Sequence, residues 1–282
     1  MVIALAYIFY FVSSTASKLQ RRHIAIKRDT DEGQIDFAFR VMAITFVLSP
    51  VLLLFKPFEF NQPAVTILAL AMVCGIFGAS AISAQYIAQR HTEAGVTSLL
   101  GSSYAPMTIL LATIILNEGL ETRQVLGTIL LLIAVVLVSQ KHRLSKWRFD
   151  RYFWLNIFSG VALSFTLTAE RSLIKENGIT TGTLVSWGAT TFFLGAAAAL
   201  ARAKSQHHTQ ETLTTGGLRF MQQLSWVVLV TVVANLSLVS AVATFSTTVT
   251  FVAAAIFIHE REDFRRKIIG SFFATVGLLL MI

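Results

Sequence analysis

Residues 94–118 read AGVTSLLGSSYAPMTILLATIILNE, and residues 236–260 read LSLVSAVATFSTTVTFVAAAIFIHE. Laid together without a gap, the two stretches pair Ser98 with Ser240, Thr108 with Thr250 and Glu118 with Glu260. Each is an uncharged run of about 23 residues, the length a helix needs to cross about 30 Å of hydrocarbon. After each glutamate come a polar turn, a basic residue and a glycine that opens another apolar run: Gly127 in VLGTILLLIAVVLV and Gly270 in IIGSFFATVGLLLM. Further out, STASKL at 14–19 is echoed by TAERSL at 168–173. Any one match between apolar helices is weak, and the shared order of the matches carries the repeat.

The remainder of the chain has the same character. Of 282 residues, 55% are hydrophobic and only 13% charged, where soluble domains carry roughly 25% charged residues. Too little polar surface is left to coat a water-soluble body. Backbone groups in hydrocarbon must be satisfied inside the spanning segment, so the apolar blocks must be helices. The alternating strands of about 10 residues expected of a transmembrane barrel are absent from the sequence. The fold class expected is therefore an all-α polytopic membrane protein of about ten transmembrane helices, arranged as two inverted five-helix repeats. Five spans per unit is odd, so the second unit sits upside down relative to the first, an architecture transporters use.

The spans are expected at 2–17, 37–55, 65–88, 94–116 and 123–139, then at 152–169, 183–201, 217–234, 236–258 and 264–282, with Pro50 kinking the second. This divides the chain into a first repeat, 1–140, a basic connecting loop, 141–151, and a second repeat, 152–282. The uncharged stretch 224–258 is awkward: about 35 residues is too long for one span and short for two spans with a loop. Span 8 is accordingly expected to be shortened, with the polar residues 202–217 left as a loop.

Span 4 with Glu118, the Gly127 helix that follows, and their recurrence at Glu260 and Gly270 resemble the EamA-type drug/metabolite transporter superfamily, over nearly the whole chain. The resemblance implies ten helices, a substrate cavity lined by spans 1–4 and 6–9, and peripheral spans 5 and 10. It implies a small-molecule substrate without naming one. A homodimer through spans 5 and 10 is an arrangement the sequence leaves open.

The formal net charge is +8. The basic residues read as loop residues that set topology and meet anionic lipid rather than nucleic acid, which would need a basic patch on a domain. With the N-terminus outside, all but four (Lys56, Arg123, Arg171 and Lys175) of the 23 Lys and Arg fall on the cytosolic side. The family resemblance implies the opposite orientation. The charge count places the chain N-out in a plasma membrane of bacterial inner-membrane type.

Ionisable side chains within a bilayer are costly and point to function. Arg40 either snorkels to the interface or meets a substrate anion. Glu118, Glu170 and Glu260 are structural or proton-coupling candidates: Glu118 and Glu260 because a carboxylate there can accept the free N–H groups opening the next helix, Glu170 as an interfacial residue paired with Arg171 or Lys175. The neutral cavity candidates are Tyr7, Gln85, Tyr86, Ser103, Tyr104, Trp187, Asn235, Ser246 and Thr247, with Pro106 able to free a carbonyl.

No zinc-ligand spacing, phosphate-binding glycine loop or nucleophile triad is present in the sequence. The single cysteine, Cys74, excludes an internal disulfide. These features point to a non-enzymatic chain with no cofactor and no metal. The function expected is a secondary transporter or exchanger of a small organic metabolite, working by alternating access without ATP hydrolysis. A non-transporting scaffold or degenerate carrier is the alternative, motivated by the short span 8. An intramembrane lipid enzyme is a third reading, weakened by the lack of acid–base pairs.

Overall fold

Apolar segments of spanning length become helices throughout. The computed structural model describes residues 2–27, 30–54, 56–92, 94–139, 150–202, 204–257 and 264–281, among which there is no strand. In order these form α1 (Val2–Lys27), α2 (Asp31–Leu48), α3 (Ala64–His91), α4 (Ala94–Gly101), α5 (Tyr104–Leu116) and α6 (Thr122–Ser139). They continue as α7 (Arg151–Ala201), α8 (Thr209–Val233), α9 (Leu236–Ala243), α10 (Phe245–Phe257) and α11 (Phe264–Met281). Among the described residues, five helical segments are long and apolar enough to cross a membrane: Asp31–Leu54, Ala64–His91, Arg151–Ala201, Thr209–Val233 and Leu236–Ala254. Most of the basic connector 141–151 lies outside the described residues, as does Glu260.

Local chemistry explains the joints. Thr30 caps α2, its hydroxyl accepting the Gly33 N–H at 3.0 Å, and Asp31 and Glu32 lie in the first turn, where the helix dipole favours negative charge. Pro50 does not kink α2. The α-helix stops at Leu48 and tightens into a 3-10 turn, Ser49–Leu54. The sixth and seventh spans, expected as separate helices with a polar link, form one helical element broken only at Gly178, whose φ of 77° suits glycine alone. Past the break, Gly182 lies so near the first arm that a Cβ would come within 2.7 Å of the Ile174 Cα.

The eighth span is corrected most. It is not short: α8 runs Thr209–Val233, 25 residues. The polar residues 209–216 are its first two turns, not a loop. Glu211 accepts the His208 N–H, and the Thr212 and Thr215 hydroxyls bond back to the carbonyls of His208 and Glu211. Gly216 lets this end pack on Ile44 of α2. Ala234, at φ 56°, and Asn235 then complete the link to α9. A two-residue joint is how two helices fit in the uncharged stretch.

Helices of the first half pack mainly on helices of the second. The most extensive contacts are α3 with α7, α6 with α11, and α1 with α8, followed by α2 with α7 and α8 and by α5 with α7 and α9. Large apolar side chains, such as Leu54, Val65, Phe192 and Leu200, face outward, while Ser14, Ser17, Thr45, Ser164 and Thr180 are buried. A soluble protein of this size keeps extended apolar patches covered, so an apolar exterior over a hydroxyl-rich interior suits lipid. Each of the matched stretches 94–118 and 236–260 holds a helix interrupted by a tightened turn. In each, a first piece of eight residues begins at the matched position, Ala94 or Leu236, and is followed by a second piece of 13 residues.

Candidate functional site

The two breaks face each other near the middle of the bundle. Between α4 and α5 the helix tightens into a 3-10-type turn: the Ser103 N–H bonds to the Leu100 carbonyl at 3.1 Å and the Ala105 N–H to the Ser102 carbonyl at 3.0 Å, as the Thr244 N–H does to Ala241 between α9 and α10. Pro106 sits in the first turn of α5, where a missing N–H costs little, so it starts a helix rather than bending one. Gly160 of α7 allows the break to approach: a Cβ there would lie 2.8 Å from the Gly101 carbonyl oxygen and 2.9 Å from the Tyr104 nitrogen. Across the bundle, Ser102 Oγ lies 2.8 Å from Thr247 Oγ1, and Ser98 Oγ donates to the same atom at 3.2 Å. Lys18 of α1 enters between the broken helices, its Nζ donating to Ser98 at 2.8 Å and to Ser246 at 3.1 Å.

A cavity of about 100 Å³ surrounds this junction. Two further cations reach its wall. Arg21, one turn beyond Lys18 and buried, donates Nη1 to Gln85 at 3.0 Å and lies 5.0 Å from the centre of the Tyr86 ring. Arg219 of α8, also buried, donates to Gln222 at 3.2 Å, and Gln222 passes the chain on to Ser14 at 3.3 Å. One carboxylate, Glu170, lies on the same wall and accepts the Trp187 indole N–H at 2.9 Å. Tyr104 donates its hydroxyl to the Ser240 carbonyl at 3.3 Å.

The structure brings Gln85, Tyr104, Trp187, Ser246, Thr247 and Glu170 to the cavity wall. Others lie elsewhere. Tyr86 is buried behind Arg21 and against Phe37. Ser103 is at the break but turns toward the Ile157 carbonyl, 3.5 Å away. Tyr7 stacks on Phe11 within the apolar core, where Tyr10 takes the cavity position instead. Arg40 is paired with Asp36 at 2.8 Å on a 42% exposed side chain, away from the wall. Asn235 caps α9, its Oδ1 accepting the Leu238 N–H at 3.0 Å. Glu118 does serve a helix N-terminus, but that of α9 and not the next helix in sequence: its Oε2 accepts the Leu236 N–H at 2.7 Å.

Lys18, Arg21 and Arg219 are the site residues the sequence reading passed over, because they were counted among the loop charges. Their signal was spacing. Ser14, Lys18 and Arg21 recur three to four apart, as do Arg219 and Gln222, which puts each set on one helical face.

An apolar exterior, helices of spanning length and a polar cavity at their centre are the features of a polytopic membrane protein. Residues 2–140, just under half of the chain, match the model of the EamA-like transporter family. A solved structure described only as "Crystal structure of protein" superposes with a TM-score of 0.66 at 10% identity, covering 99% of this chain and 96% of that one. At that identity the likeness is one of fold. No curated protein matches the chain.

Proposed function

We propose that the protein is a secondary transporter or exchanger of a small organic metabolite, cycling by alternating access without nucleotide hydrolysis. The observation that carries this is the position of the cavity, between α4–α5 and α9–α10, two helices broken at matched points of the two halves. Interrupted helices facing a central site recur in inverted-repeat carriers, where one half rocks against the other around that site.

In this reading, residues 1–140 and 152–282 are inverted five-helix repeats joined by 141–151, and ten spans follow once α4–α5 and α9–α10 each count as one span and α7 as two. The charge count favours an outside N-terminus and a plasma membrane of bacterial inner-membrane type. Lys18, Arg21 and Arg219 belong to the cavity and drop out of that count, yet the remaining bias keeps its sign. The scaffold alternative loses its motive, because span 8 is full length.

Counterflow in proteoliposomes containing the purified protein tests the proposal. Saturable uptake of a labelled metabolite above empty vesicles supports a carrier. Correctly inserted protein that exchanges nothing from pools of organic acids, amines, sugars and nucleosides refutes it.

A further inference from the structure

The molecule contains two kinds of buried arginine. Arg171 is neutralised by protein: its guanidinium meets both oxygens of Glu118 and the Ala234 carbonyl. Arg219 is not. Among the described residues its hydrogen bond goes to one neutral amide, Gln222, although a guanidinium carries five N–H donors. Arg21 reaches a backbone carbonyl, the Gln85 amide and the Tyr86 ring, and Lys18 reaches two serine hydroxyls. None of the three has a carboxylate within ion-pair distance among the described residues; their charges act on one another, and Glu170 reaches Arg219 only through space from beyond that distance.

This is an unfavourable arrangement without an anion. Buried charges are stable when paired, and three cations share one wall with a single carboxylate that is already engaged by an indole N–H. Hydroxyls and amides solvate the cations without neutralising them. A guanidinium fork matches the paired oxygens of a carboxylate or phosphate, and a lysine ammonium adds a point charge beside it. The rest of the wall supplies the aromatic and apolar surface of Tyr104, Leu163, Trp187 and Trp226. That mixture suits the carbon body of an organic ligand better than a bare inorganic ion.

Resting on the transporter reading, we infer that the cavity takes a small organic anion, whose carboxylate or phosphate sits among Lys18, Arg21 and Arg219 and whose body lies toward Trp187 and Trp226. Glu170, held by Trp187, sets a negative limit to the anion subsite, so that a second negative group pointing that way is disfavoured.

The test is thermal stabilisation of the purified full-length protein by succinate, phenylacetate and glycerol 3-phosphate, against phenethylamine as a cation and adenosine as a neutral ligand. Counterflow of the same five compounds is measured in parallel. At least one anion is expected to raise the melting temperature saturably, with the amine and nucleoside inert. Arg219→Gln and Lys18→Gln should each weaken that anion by about tenfold to a hundredfold, the loss of one or two charged hydrogen bonds. Arg219→Lys, which keeps the charge, should recover part of it and shows that the loss is not one of folding.

Preference for the amine or nucleoside, no response to any of the anions at millimolar concentration, or unchanged anion binding in both variants overturns the inference. The two readings fail separately. Counterflow of only the amine or nucleoside retains the carrier and removes the anion site. Anion binding without counterflow retains the site and removes the carrier.

Discussion

Arg171 and Glu118, on α7 and at the end of α5, form a buried ion pair of 2.9 Å that ties together three elements of the bundle. Both side chains are under 10% exposed. The same carboxylate accepts the Leu236 N–H that opens α9, and the Ser237 hydroxyl donates to the Glu118 carbonyl. One acidic residue thus links the end of the first broken helix to the start of the second.

Removing the carboxylate leaves a buried guanidinium without its counter-charge. Glu118→Ala is expected to cost about 3–5 kcal/mol, as when one member of a buried pair is lost. Glu118→Gln, which keeps an acceptor for Leu236, should cost less. Melting temperature and monodisperse yield in detergent report the loss. Wild-type stability of Glu118→Gln with a shifted pH dependence of flux would instead make Glu118 a proton relay.

Gly160 is held to glycine by its neighbours. Gly160→Ala forces a methyl against the Gly101 carbonyl and the Tyr104 N–H and should cost about 1–3 kcal/mol, the usual range for overpacking. Because the displaced segment is the α4–α5 break, flux should fall further than the melting temperature suggests. A variant with wild-type melting and flux shows that the break has room to move aside.

Tyr104 offers a ring to the cavity and a hydroxyl to the Ser240 carbonyl. Tyr104→Phe should change stability by no more than about 1 kcal/mol, the net worth of one hydrogen bond. Tyr104→Ala removes the ring as well and should impair counterflow far more than Tyr104→Phe does. Equal flux in the two variants removes the ring from the site.

Arg40 serves as a negative control. Its partner Asp36 lies one turn away on the same helix and also accepts the Ser205 N–H, while Arg40 itself is exposed, so Arg40→Gln should alter stability by about 1 kcal/mol or less. Counterflow should match the wild type. Loss of flux would mean that Arg40 reaches the substrate in a state other than this one.

The fold was legible where structure depends on runs of neighbouring residues. The helix starts at Ala94 and Leu236, and the ends of the apolar runs, follow from apolar length. Span 8 was misread because Thr209–Gly216 looks like a loop by polarity. Its threonine hydroxyls bond to carbonyls of their own helix, and burial against α2 makes that worthwhile. A division between the sixth and seventh spans was expected, but not its narrowing to Gly178, because the polar residues on both sides stay helical.

The site was partly legible. Gln85, Tyr104, Trp187, Ser246 and Thr247 were singled out as polar groups in apolar runs, and they reach the cavity. Asn235 drew attention for the same reason, and Pro106 for the carbonyl it can free, but both stand at helix starts. Lys18 and Arg21 were lost at the edge of span 1, where a charge reads as the end of a helix, although α1 continues to Lys27.

What the sequence determined by itself was the material of the protein and its internal echo. Hydrocarbon admits only segments that satisfy their own backbone, so long apolar runs become helices whatever surrounds them. What only the tertiary structure decided was which charges are lone and which are paired. Arg171 and Glu118 are 53 positions apart, and Lys18 meets Ser246 across 228. A charge in a sequence does not state its partner, and partnership is set by helix packing. Packing neutralises Arg171 and leaves Lys18, Arg21 and Arg219 facing a common space.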